Sequence, residues 1–175
     1  SYSINYLELV SLEETNIVNI SNCVILYCSN SNDNSHFHLY LTGNHLFLDK
    51  VLFKEENIRG IVTVSGSNNF ILLNRMNFRN DAIDRKFQAS HSLLKIEEKD
   101  NELNLSNTVF QAFNTLSIFL SIQKSGNRVF FTNCRFRLII ADYFILSLNI
   151  LNSERTLIQM RNNSFVDNIF RIVFD

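Results

Sequence analysis

LNLSNTVF (103–110) and VFFTNCRF (129–136) decide the fold. Each is apolar at its first and third positions, bends at a polar pair, and returns to an apolar residue at the eighth. The same string recurs as VNISNCVI (18–25), LFLDKVLF (46–53), ILLNRMNF (71–78) and IQMRNNSF (158–165). Positions one, three and eight are apolar in all six segments, and positions four and five are polar. Period-two alternation marks strands. Recurrence at spacings of 28, 25, 32, 26 and 29 residues marks a stacked repeat whose insertions lie in loops.

A second strand precedes each motif, in FHLYL (37–41), VTV (62–64), LKI (94–96), LSIFLSI (116–122) and FILSL (144–148), with FRIVF (170–174) after the last motif. Turns such as TGN (42–44), SGSNN (65–69) and SGN (125–127) lead into the motif. A third strand starts near the motif's last residue, as in VFQAF (109–113) and RFRLI (135–139). The expected fold is therefore all-β: a right-handed single-stranded parallel β-helix of about six coils of 25–32 residues, with three short strands each. A leucine-rich repeat would need a different spacing to its asparagine and a helical segment, and no helical period of useful length is present. Residues 1–175 read as one domain, a stretch of a longer solenoid, because the strands at 7–9 and 170–174 carry no cap.

Composition agrees. Proline and tryptophan are absent, 25 of 175 residues are asparagine, and phenylalanine supplies 16 of 21 aromatics. A chain paired to strands on both sides has no place for a residue without an N–H. Asparagine suits bends in left-handed conformations. At motif position five (Asn22, Lys50, Arg75, Asn107, Asn133, Asn162) the side-chain amides are expected to stack as a ladder, interrupted at Lys50 and Arg75.

The motif strings resemble the coils of pectin-lyase-like β-helices, and most nearly the F-x-x-N repeats of the polymorphic outer membrane protein type. Phe165 to Asn168 matches F-x-x-N outright; the other coils place the asparagine off register or lack it, and the family's G-G-A motif is missing. Asn-rich, Phe-rich repeats of this kind also resemble large predicted surface proteins of ciliates. The resemblance spans nearly the whole chain and implies a fold, not an activity.

Chemistry is harder to find. Pectin-lyase-like enzymes carry clustered carboxylates on one sheet, and glycoside hydrolysis needs two. The outward strand positions (Asn19, Phe47, Leu72, Asn104, Phe130, Gln159) show no such pair. Asp81 and Asp84 sit in the longest insertion, 79–91, and are loop candidates for chemistry or, more simply, part of a short capped helix. His36 and His38 could chelate a metal at i and i+2, but nothing nearby completes a site. No cofactor signature is present.

Cys23 and Cys134 share one motif column four coils apart, about 19 Å, too far for a disulfide. Cys23 could meet Cys28 only across a bend, and the odd count leaves at least one thiol over. The sequons at Asn19, Asn104 and Asn162 are no more than composition alone would give. Asn19 and Asn104 point outward and are the glycosylation candidates; Asn162, in the ladder column, is expected to be inaccessible.

A net charge of −1 gives no electrostatic case for nucleic acid. No apolar run reaches the roughly 20 residues of a membrane helix, so direct insertion is not expected. The expectation is a non-catalytic structural or adhesive module of an extracellular or cell-surface assembly. Its ends would meet further coils or neighbouring copies, and Phe47, Leu72, Phe119, Phe130 and Ile145 would contact other structural proteins or glycans. Two alternatives stand beside it: a carbohydrate-binding or polysaccharide-cleaving β-helix, and an intracellular scaffold.

Overall fold

The computed structural model describes residues 7–9, 17–22, 24–26, 37–39, 42–55, 62–80, 92–111, 116–147 and 156–174. Every regular element among them is a strand. The strands form three sheets of seven, six and six, and every pairing is parallel. Strands that follow one another along the chain lie in different sheets, and each pairs with its counterpart one repeat away. This is a parallel β-helix.

The motif builds two of the sheets. Its first half is the middle of the strands Ile17–Ser21, His45–Asp49, Phe70–Asn74, Glu102–Ser106, Arg128–Thr132 and Leu157–Arg161, which pair in unbroken register. Leu48, Leu73, Leu105, Phe131 and Met160 are successive register partners, so position three is one column, as the alignment requires. The first four of these are buried. The motif's second half begins the third sheet, which includes Asn77–Asn80, Val109–Gln111 and Arg135–Arg137.

The bend between the two halves has one cause. Position five is left-handed in all six repeats, with φ from 51° to 53° at Asn22, Lys50, Arg75, Asn107, Asn133 and Asn162. Asparagine tolerates this region best among residues with a side chain, which accounts for four of the six. Lys50 and Arg75 adopt it too, so the coil imposes the bend even where the local preference is weaker.

Position eight, beyond the bend, holds a stack of rings. Phe78, Phe110 and Phe136 are buried. Their centroids are 5.0 and 5.2 Å apart, with interplanar angles of 14° and 0°. Phe165 continues the stack 4.8 Å above Phe136. Phe119, from the preceding sheet, meets Phe110 and Phe136 edge-on, each ring plane at 82°. In-register strands lie about 4.8 Å apart, close to the spacing of these stacked rings, so one aromatic per rung fills the corner without a void.

The asparagine ladder lies elsewhere than expected. The position-five side chains of Asn107, Asn133 and Asn162 are exposed, and only loose contacts such as Asn133 Nδ2 to Asn107 Oδ1 (3.3 Å) join them. The buried ladder is Asn44, Asn69, Asn101 and Asn127, two residues before each motif. Asn69 Oδ1 accepts from the Asn44 backbone N–H at 2.8 Å and from its Nδ2 at 3.2 Å. Asn101 Oδ1 accepts the same pair from Asn69 at 2.9 and 3.1 Å, and Asn127 Oδ1 takes the Asn101 N–H at 2.8 Å. The Asn127 amide then donates to the carbonyls of Glu98 and Lys124. The reason for the shift is geometric. The last residue of the turn entering the motif is buried and must satisfy its polar groups internally, whereas the left-handed bend leaves its side chains in water.

Candidate functional site

The motif sheet turns three columns outward. The central one is Asn19, Phe47, Leu72, Asn104, Phe130 and Gln159, aligned rung on rung. Phe47, Leu72 and Phe130 are half-buried, each set between buried core residues of the same strand. Strand alternation fixes this placement, since neighbours of an inward residue must face out. Phe47 packs with Phe70 at 5.7 Å and with His45 at 6.2 Å, and His45 lies 5.9 Å from Phe70. The result is a three-ring cluster across two rungs.

Charged and amide groups border it. Asp49 takes a two-point contact from Arg75, Nε to Oδ1 at 2.8 Å and Nη2 to Oδ2 at 2.6 Å. That guanidinium holds the Asp49 carboxyl below the usual carboxylate range. Asn74 donates to Asp49 at 2.9 Å and accepts from Ser106 at 2.8 Å and from Asn107 at 3.0 Å. On the other side of the column Arg128 meets Glu102 at 2.9 Å, and Asn104 Nδ2 donates to Glu102 at 2.8 Å.

Phe119 and Ile145 are not part of any contact surface. Both are core residues, 0% and 1% exposed. Strict alternation along LSIFLSI and FILSL would put them outward, but the preceding sheet breaks that alternation. Leu93 and Leu94 are both buried, as are Phe119 and Leu120, and Ile145 is the register partner of Leu120. The register also shifts between Ile140 and Ile145 against the last strand. A one-residue change of phase swaps every side chain between faces.

Of the sequons, Asn19 is exposed and Asn104 half-buried, each in the middle of a strand. Asn162 is exposed at its left-handed bend, correcting the expectation that it would be inaccessible. Asp81, Asp84, His36, Cys23 and Cys28 lie outside the described residues. Among the described residues no three His, Cys, Asp or Glu side chains are grouped to hold a metal. Cys134 is a buried free thiol, and burial pushes its pKa up, so it packs as a small apolar group.

The ladder of Asn44, Asn69, Asn101 and Asn127 was missed from sequence, although a signal exists: asparagine stands two residues before the motif in each of these repeats. No family model, curated protein or solved structure matches the chain.

Proposed function

We propose that the chain is a non-catalytic structural or adhesive β-helix module of a larger extracellular or cell-surface assembly, joined end to end with further coils or a neighbouring copy. The observation that carries this reading is the unbroken stack of the motif sheet, in which each inner rung is closed by the rungs on either side of it. Stacking of this kind accepts a further rung, from more coils or from a neighbouring copy, in the same register.

The test is the mass of residues 1–175 in solution. We expect association that rises with concentration and weakens in Phe165→Glu, which puts a charge on the ring stacked over Phe136. A chain that stays monomeric at high concentration would refute end-to-end contact.

A carbohydrate-contact reading has one observation in its favour: the rings of His45, Phe47 and Phe70 share a sheet with the carboxylates of Asp49 and Glu102. The non-catalytic reading expects no product from polygalacturonate even with calcium. Release of unsaturated uronate by the purified chain, measured by ultraviolet absorbance, would replace it with a lyase.

A further inference from the structure

We infer that the outward face of the motif sheet pairs with the same face of a second copy of this chain, the two solenoid axes side by side. The inference deepens the structural reading above and rests on it, because it names the partner of Phe47, Leu72 and Phe130.

A parallel sheet is ordinarily covered on both faces. The preceding sheet is nearer that rule: its outward Thr63 and Ser121 are 9% and 4% exposed, with Lys95 between them half-buried. The motif sheet is further from it, since its outward column remains half-exposed over apolar side chains.

Symmetric pairing demands a surface that complements itself. The central column of the motif sheet carries no charge in any rung. Charges are confined to the flanks, with Glu102 and Arg128 on one side and Asp49 and Arg161 on the other. An uncharged centre inside a charged rim is the anatomy of a protein interface.

With the two solenoid axes side by side and all six rungs overlapping, the in-plane two-fold axis lies either along the solenoid or along the strands. With the axis along the solenoid, each rung meets its own copy. Phe47, Leu72 and Phe130 then each meet themselves, and so do Asn19, Asn104 and Gln159, whose amides both donate and accept. The flanks exchange sides, so that His45 faces Asp49, Glu102 faces Ser106, Arg128 faces Thr132 and Leu157 faces Arg161. No like charges are opposed. With the axis along the strands, Leu72 falls on Asn104, Phe70 on Glu102 and His45 on Arg128. The first arrangement is therefore the one assigned.

The experiment uses the 175-residue chain carrying Phe165→Glu, which weakens the end contact, followed by sedimentation. The parent is expected at twice the 20.4 kDa chain mass. Leu72→Arg and Leu72→Asp, each opposing its own charge, are each expected to raise the dissociation constant more than about tenfold. An equimolar mixture of the two is expected to restore the two-chain mass, because only self-facing Leu72 residues become an Arg–Asp pair. If either variant loses strand signal in circular dichroism, Asn104→Arg with Asn104→Asp repeats the test in the same column. A monomeric parent, a pair insensitive to Leu72→Arg, or a mixture that stays monomeric overturns the pairing. So does a glycan found on Asn104 of the native protein, which would hold the faces apart. Concentration-dependent association of the unmodified chain that survives Leu72→Arg leaves the end contact standing and removes this one alone.

Discussion

Phe110→Ala is expected to cost about 3–5 kcal/mol, the usual range for truncating a buried aromatic. Phe110 is fully buried and is the middle ring of the corner stack, in contact with Phe78, Phe136 and Phe119. Its removal leaves a void that the neighbouring rings cannot close, since each is held in register by its own strand. Against a total of about 5–15 kcal/mol, the loss is roughly a fifth or more of the stability. Urea unfolding followed by circular dichroism would measure it as a lowered midpoint. A cost under about 1 kcal/mol would mean that the rings repack freely and that the stack is not a structural column.

Asn101→Leu is expected to cost about 2–5 kcal/mol without any change of volume large enough to explain it. Asn101 Oδ1 receives both the backbone N–H and the side-chain amide of Asn69. Its own amide donates to the Glu98 carbonyl at 2.9 Å. Leucine would leave the two buried Asn69 donors without that acceptor, each worth roughly 1–3 kcal/mol when unsatisfied, while the Glu98 carbonyl keeps the Asn127 amide. Asn107→Leu is the comparison, because Asn107 is exposed and leucine there leaves no buried group unpaired, at the cost of about 1–2 kcal/mol for its left-handed backbone. The two variants should differ clearly in melting temperature. Equal effects would show that the ladder contributes nothing beyond the bend.

That pair of asparagines also marks how far the sequence could be read. The fold was legible because positions one, three and eight are apolar in all six repeats, and a burial requirement at every rung leaves that trace. The bend was legible in the same way, through asparagine at position five. What asparagine does there was not: a left-handed backbone and a buried amide ladder select the same residue, and sequence does not separate them. Phe119 and Ile145 show a different limit. Both lie in nearly all-apolar runs, where alternation carries no phase, so inward and outward cannot be told apart. The outward column of Phe47, Leu72 and Phe130 was legible because the same motif position is polar in the other three repeats, as Asn19, Asn104 and Gln159. Its flanking partners were not, since Asp49 and Arg75 sit 26 residues apart and meet only through the coil.

The unbroken register of the motif sheet has a consequence for how such a chain changes length. Each strand from Ile17–Ser21 to Leu157–Arg161 meets only the rung below and the rung above, through the same five positions. Energetically this is a one-dimensional lattice, with a nearest-neighbour coupling repeated along it. A gene segment encoding one full repeat can be duplicated or lost and the remaining columns still close on one another, rung to rung. The protein behaves as a ruler graduated in steps of about 4.8 Å, whose reach is set by counting repeats and not by redesigning any of them.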